Sequence, residues 1–80
     1  MFFTYILKSE KTGSYYYGHC ENLKVRLGNH NAGKVRSTKT RRPWRIHYYE
    51  EFGSKAEAYK RERYFKSRSG YRFLKRKGII

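Results

Sequence analysis

The stretch FFTYILKSEKTGSYYYGH, residues 2–19, contains two runs rich in aromatic and β-branched residues. A turn signal, Thr12-Gly13, lies between them. This pattern predicts a β-hairpin with strands over Phe2–Lys8 and Tyr15–His19. Because side chains alternate along a strand, aromatic and aliphatic groups fall on both faces of the first strand. We therefore expect helices to pack on both sides of the hairpin.

Helix and strand signals alternate after the hairpin. Asn22 and Ser54 are typical N-caps, and Glu57 completes a capping box with Ser54. The pair Ser69-Gly70 indicates a break before the last helix, and residues 78–80 are expected to fray. The predicted elements are one helix, one strand and two further helices: Leu23–Ala32, Arg45–Phe52, Lys55–Ser67 and Tyr71–Lys77.

Eighty residues with a single cysteine limit the class of protein. A multi-domain enzyme, a disulfide scaffold and a zinc module built on paired cysteines are excluded. No apolar run approaches the roughly 20 residues that cross a bilayer. The N-terminus also lacks the basic, apolar and small-residue segments that follow one another in a signal peptide, so we expect a cytoplasmic protein. The fold class that we predict is α+β, with a small three-stranded antiparallel sheet flanked by helices in one domain over residues 1–80.

The charge balance indicates the partner. Twenty Lys and Arg stand against six acidic residues, all Glu, which gives a formal net charge of +14. Such an excess favours a polyanion, and nucleic acid is the first choice because its phosphates release counterions on binding. An anionic membrane surface is the weaker alternative, since no long basic helix with a broad apolar face is present. Without Asp, a Ser-His-Asp triad is excluded.

Six residues are candidates for a functional site: Tyr5, Tyr16, Gly18, Arg26, His30 and Glu62. By pattern alone, the two tyrosines are more typical of a core than of a reactive site. Arg26 and His30 lie four residues apart on the predicted first helix, so they can reach a shared site at the edge of the sheet. Gly18 would let the backbone lie close to packed neighbours.

Glu62 lies beside the apolar stripe of the second predicted helix rather than opposite to it. A carboxylate in that position needs a partner or a metal ion. A salt bridge to a neighbouring base such as Arg61 or Lys66 is the simpler interpretation, and a metal site is the functional one.

The joint spacing of these candidates resembles that of the GIY-YIG nuclease family. Phe3-Thr4-Tyr5 stands where the first motif of the family lies, and Tyr16-Tyr17-Gly18 is a close version of the second. Arg26 falls at the family's helix-borne arginine, His30 at its His or Tyr, and Glu62 at its metal-binding glutamate. The resemblance covers essentially the whole chain. It is strongest to the small stand-alone bacterial members related to the N-terminal domain of the excision-repair incision subunit.

The resemblance implies a mechanism. Glu62 would hold one Mg²⁺ or Mn²⁺ ion, with water and phosphate oxygens completing the shell, and no small-molecule cofactor is expected. Tyr5 would act as general base, with its pKa lowered by the surrounding positive charge. Arg26 would hold the scissile phosphate, and Tyr16 and His30 would orient the water or the substrate.

The basic side chains of the loop after the first helix and of the C-terminal segment would contact the nucleic-acid backbone without reading bases. We therefore expect a metal-dependent DNA endonuclease of low sequence specificity that acts in repair or recombination, with RNA left open as a substrate. The predicted contacts are Lys34, Arg36, Lys39, Arg41, Arg42, Arg45, Lys60 and Lys66.

Two alternatives stay open at this stage. Many family nucleases carry an Asn after the glutamate, and no Asn follows Glu62 here. This departure favours a catalytically weak or inactive nucleic-acid-binding module with the same fold. The third interpretation is an interaction domain that lends its charge to a repair or ribosomal assembly.

Overall fold

A computed structural model describes all residues from 1 to 80. It contains three strands, three α-helices and one short 3₁₀ turn at Lys39–Arg41. The elements in chain order are β1 (Phe2–Ser9), β2 (Tyr15–Cys20), α1 (Leu23–Asn31), β3 (Trp44–Phe52), α2 (Lys55–Phe65) and α3 (Arg68–Arg76). None of the helices is both long and apolar enough to span a membrane.

The three strands form one antiparallel sheet in the order β2-β1-β3. The predicted α+β fold with a three-stranded antiparallel sheet is therefore confirmed. In the central strand, Tyr5 lies opposite Gly18 of β2 and opposite Tyr49 of β3. This register brings the two motif-bearing strands side by side and leaves β2 at the edge of the sheet.

Each face of the sheet carries its own small core. On one face Tyr5, Leu7 and Trp44 are buried, with side chains of α1 packed against them. On the other face a second cluster, Ile6, Phe65 and Leu74, is buried beneath α2 and α3. The alternation of side chains in β1 produces both cores, as the hairpin pattern predicts.

The boundary between the last two helices differs from the prediction. Gly70 does not separate two helices but is buried within α3. Ser67 caps this helix, and its side chain accepts a hydrogen bond from the Gly70 amide. A Cβ at this position would overlap the carbonyl oxygen of Tyr64 at the end of α2. The glycine therefore permits close contact between two helices, and the preceding helix ends at Phe65 rather than Ser67.

The C-terminal tail, which we expected to fray, is packed in the structure. Ile79 and Ile80 contact the cluster beneath α2 and α3, and the Ile79 amide donates to the carbonyl of Leu74. His47 of β3 donates to the Ile79 carbonyl. The two C-terminal isoleucines thus pack against the second core. Local composition does not reveal this contact, because its partners are distant in the sequence.

The basic loop between α1 and β3 is anchored at its centre. Thr38 is fully buried, and its carbonyl accepts a hydrogen bond of 2.9 Å from the indole Nε1 of Trp44. The side chain of Asn31 bonds to both the amide and the carbonyl of Trp44. Ser9 Oγ donates to the carbonyl of Arg41 at 2.6 Å. Trp44 is the residue of this segment whose type favours burial, whereas no sequence pattern indicates that Thr38 is buried.

Candidate active site

The hydroxyl of Tyr5 is the meeting point of two helical side chains. Tyr5 is only 1% exposed. Arg26 Nε donates to its hydroxyl at 3.3 Å, and His30 Nε2 lies 3.1 Å from the same oxygen. A phenol, a guanidinium and an imidazole therefore share one hydrogen-bonded centre.

The N-terminal cap of α1 fixes where the helix begins and so which side chains face Tyr5. The side chain of Asn22 caps the helix by accepting from the Val25 amide at 3.0 Å. One turn separates Arg26 from His30, so both side chains lie on the same face of the helix. The ring of Tyr16 packs against that of His30 with centroids 5.0 Å apart. Four of the predicted catalytic residues are thus in one place.

Gly18 is the partner of Tyr5 on the edge strand and is buried. A Cβ at Gly18 would overlap the hydroxyl oxygen of Tyr5. The phenol therefore lies directly over the glycine, and no other residue type fits there without displacing it.

Burial sets the protonation states of Tyr5 and His30, and for Tyr5 the result differs from the sequence-based expectation. Desolvation raises the pKa of Tyr5 to about 12, although the hydrogen bond from Arg26 acts in the opposite direction. The predicted lowering of this pKa is wrong for the free protein, because removal from water outweighs the positive charge. Burial, aided by the charge of Arg26, lowers the pKa of His30 to about 4. At neutral pH the centre holds a neutral phenol and a neutral imidazole.

Glu62 lies on the other face of the sheet. It is 8% exposed, and its Oε1 is 2.6 Å from His19 Nδ1 while its Oε2 accepts from Lys66 Nζ at 2.7 Å. His19 is paired with Thr4, whose hydroxyl donates to the Ala58 carbonyl of α2, whereas Tyr5 faces α1. The structure does not bring Glu62 into contact with the Tyr5 centre.

The carboxyl of Glu62 is ionised at neutral pH. Burial alone raises its pKa, but the hydrogen bonds and charges of Lys66 and His19 outweigh burial and hold the pKa below its usual value. The simpler sequence interpretation, a salt bridge to Lys66, is therefore confirmed, and His19 is a second partner that the sequence reasoning did not assign.

A cleft of about 340 Å³ lies beside both groups, although neither Tyr5 nor Glu62 lines it. Its lining includes Arg26, which donates to Tyr5, and His19, which binds Glu62. The other lining residues are Phe2, Cys20, Glu21 and Lys55. The only sequence signal for His19 was its position directly after Gly18, because the strand alternation then points it to the face opposite Tyr5.

A divalent ion has one natural ligand here. No group of three or more His, Cys or acidic side chains is close enough together to hold a metal ion. Mg²⁺ keeps much of its water shell and is bound in proteins by one or two carboxylates together with phosphate oxygens. The ionised carboxylate of Glu62 is therefore the group that would hold such an ion.

Most of the predicted nucleic-acid contacts are exposed side chains, as a phosphate-binding role requires. Three of the set have other partners. Arg42 Nε donates to the Lys39 carbonyl at 2.8 Å. Arg41 is half-buried, stacks over the Trp44 ring at 5.1 Å and donates to the Ser37 carbonyl at 2.8 Å. Lys66 pairs with Glu62. The exposed members are Lys34, Arg36, Lys39, Arg42, Arg45, Lys60 and Lys66.

Comparison with known proteins agrees with this geometry. The model of the GIY-YIG catalytic domain matches residues 1–75. A UPF0213 protein of Staphylococcus haemolyticus is 45% identical over 74 residues, covering 91% of this chain and 89% of the relative. A UPF0213 protein of Bacillus licheniformis is 44% identical over 66 residues, covering 81% of this chain and 67% of the relative.

A solved structure is similar as well. The solution NMR structure of a UPF0213 protein from Bacillus halodurans aligns with a TM-score of 0.53 and 33% sequence identity. The alignment covers 92% of this chain and 82% of the other.

Proposed function

We propose that this chain, which belongs to the GIY-YIG family of nucleases, is a divalent-metal-dependent endonuclease that hydrolyses DNA phosphodiester bonds with low sequence specificity. The observation that carries this proposal is the convergence of Arg26 and His30 on the hydroxyl of Tyr5. A core tyrosine needs only one hydrogen-bond partner. Tyr5 has two, the guanidinium of Arg26 and the neutral imidazole of His30, and Arg26 also lines a cleft.

Arg26 is the group that binds the scissile phosphate. It lines the cleft and stays charged, since its hydrogen bond to Tyr5 raises its pKa further. Lys55 supplies a second positive charge on the same cleft. When Arg26 turns toward a phosphate, water gains access to the Tyr5 hydroxyl, which is buried in the free protein.

Tyr5 and His30 then act together in removing a proton from the attacking water. Tyr5 accepts the proton of water while its own proton passes to Nε2 of His30, which lies 3.1 Å away. Because the charge of Arg26 contributes to the low pKa of His30, movement of Arg26 toward a phosphate makes His30 a better acceptor. Tyr16 holds the His30 ring by edge-to-face packing.

Glu62 is the proposed ligand of one Mg²⁺ or Mn²⁺ ion. A bound ion would polarise the phosphate and stabilise the leaving oxygen. His19 bonds to Oε1 of the carboxylate and itself lines the cleft, so the carboxylate adjoins the cleft through His19. Lys66 keeps the carboxylate neutralised until an ion arrives.

The test is nicking of supercoiled DNA with Mg²⁺ or Mn²⁺. We expect Tyr5→Phe and Glu62→Gln to reduce nicking by about 10²-fold or more while DNA affinity is retained, since general-base and metal contributions are lost. The matched controls Tyr71→Phe and Glu10→Gln change exposed groups of the same type. Loss of nicking in the controls, or its persistence in Tyr5→Phe, contradicts the proposal.

A second candidate is a nucleic-acid-binding module without catalysis. The observation in its favour is that both carboxylate oxygens of Glu62 already have partners. Under that interpretation the wild type binds DNA at low salt but nicks neither supercoiled nor branched DNA with either metal.

A further inference from the structure

We infer that Thr38 is a positioning residue for the proposed reaction, because its hydroxyl holds His30 in the tautomer whose Nε2 can receive the Tyr5 proton. The inference rests on the proposed function for its catalytic meaning. Its structural content, the tautomer of His30, is measurable whether or not the protein cleaves DNA.

Thr38 is unusual within its loop. The loop after α1 is rich in exposed bases, yet Thr38 is 0% exposed. Its amide donates to the Val35 carbonyl at 3.1 Å, and its own carbonyl accepts from the Trp44 indole at 2.9 Å. These bonds hold its backbone on both sides, and its Oγ1 lies 2.8 Å from Nδ1 of His30.

The hydrogens of this buried chain can be assigned by elimination. A guanidinium only donates, so the Tyr5 oxygen accepts from Arg26 and its own hydrogen needs a separate acceptor. The structure offers one, Nε2 of His30. A neutral imidazole with a bare Nε2 carries its hydrogen on Nδ1. His30 Nδ1 therefore donates to the hydroxyl of Thr38.

The hydroxyl of Thr38 completes the chain. Its own hydrogen points to the Val35 carbonyl, which lies 3.3 Å away. Every donor and acceptor is then satisfied, and no buried side-chain polar atom lacks a partner. The donation runs in one direction, from Arg26 through Tyr5, His30 and Thr38 to Val35.

The opposite assignment is unfavourable. If Thr38 donated to Nδ1, then Nε2 would carry the hydrogen and donate to Tyr5. The phenolic hydrogen of a side chain that is 1% exposed would then have no acceptor. An unsatisfied buried donor is costly, so the first assignment prevails.

The arrangement joins two parts of the proposed function. Arg36 and Lys39, proposed phosphate contacts, flank Thr38 in the chain and are exposed. The same loop that would meet the nucleic acid thus carries the hydroxyl that orients the proton acceptor. A buried threonine within an exposed basic loop is explained by this second task.

The experiment compares Thr38→Val, which removes the hydroxyl at nearly constant shape, with Thr38→Ser, which keeps it. The ¹⁵N shifts of the two ring nitrogens in histidine-labelled protein report the tautomer of His30 at neutral pH. We expect Nδ1–H in the wild type and in Thr38→Ser. In Thr38→Val we expect a mixture of the two tautomers, because either one then leaves a buried donor, Nδ1–H or the Tyr5 hydroxyl, without an acceptor. Thr40→Val is the control, since Thr40 is exposed in the same loop.

In nicking assays Thr38→Val should lower kcat by less than the roughly 10²-fold expected for loss of the general base itself, with KM little changed, and Thr38→Ser should restore most of it. A wild-type His30 in the Nε2–H form, or an unchanged tautomer in a folded Thr38→Val protein, overturns the inference. If Thr38→Val does not fold, the wild-type spectrum still decides the assignment. If the wild type itself does not nick DNA but the tautomer responds as expected, the proposed function fails and the positioning of His30 by Thr38 stands.

Discussion

The Nζ atom of Lys66, the residue directly after α2, lies 2.7 Å from Oε2 of Glu62, four residues earlier in the chain. The carboxylate that we propose as the metal ligand is therefore neutralised by an ammonium group in the free protein. An ion held by Glu62 would compete with Lys66 for the negative charge of this carboxylate. The partial exposure of Lys66 makes that competition weak, because ion pairs near the surface contribute only about 0.2–1 kcal/mol.

Removal of Lys66 should strengthen metal binding. We expect Lys66→Met to bind Mn²⁺ about two- to five-fold more tightly than the wild type, which corresponds to the loss of a competing pair of that strength. Electron paramagnetic resonance of free Mn²⁺ measures the affinity without any cleavage. Lys77→Met, a change of the same charge at an exposed site, should leave the affinity unaltered. Weaker binding in Lys66→Met would mean that the lysine helps to build the site.

Substitution of Gly18 should destabilise the protein. A Cβ at Gly18 overlaps the Tyr5 hydroxyl, so Gly18→Ala should lower the free energy of unfolding by about 1–3 kcal/mol, as overpacking does. Gly28 is an exposed glycine in α1 with open space around its Cα, and Gly28→Ala should raise stability by about 0.5–1 kcal/mol. Urea unfolding measures both. Equal stability of Gly18→Ala and wild type would be inconsistent with the packing described.

Acid should destabilise the protein through His30. Its pKa is lowered from 6.5 to about 4, so the unfolded chain binds a proton more readily than the folded one. The stabilising effect of a neutral His30 is complete above pH 6.5 and is lost as the pH falls toward 4, by up to about 3 kcal/mol. Chemical unfolding from pH 7 to pH 4 measures this slope. His30→Gln should flatten the slope in this window, whereas His47→Gln should retain it.

Two basic residues of the loop should behave differently on substitution. Arg36 is exposed, so Arg36→Gln should lower the dependence of log Kd on log salt by up to about 0.9, the effect of one phosphate contact. Arg41 stacks on Trp44, so Arg41→Gln should instead reduce stability by about 1–2 kcal/mol. Fluorescence anisotropy of labelled duplex DNA over a salt series gives the first quantity, and urea unfolding gives the second. An unchanged salt dependence in Arg36→Gln would exclude that residue from the DNA contact.

Local sequence patterns were sufficient to predict most of the secondary structure and the part of the site around Tyr5. The hairpin, the Asn22 and Ser54 caps and the third strand follow from alternation, turn residues and capping chemistry, which act over a few positions. The spacing of Arg26 and His30 on one helix placed both near Tyr5 for the same reason.

Errors arose where the outcome depended on distant packing. Gly70 was interpreted as a break because a glycine permits either a turn or a close helix contact, and only the position of Tyr64 distinguishes the two. The pKa of Tyr5 was expected to fall because charge is visible in a sequence, whereas burial is not.

The sequence by itself determined the family, the fold class and the list of polar groups available for chemistry, since these depend on residue type and on short-range spacing. Only the tertiary structure decided that Glu62 meets His19, 43 residues away, on the face opposite Tyr5. It also decided that Thr38 reaches His30. Strand register and helix packing set such contacts, and removal from water, which exists only after folding, sets the protonation of the groups that they enclose.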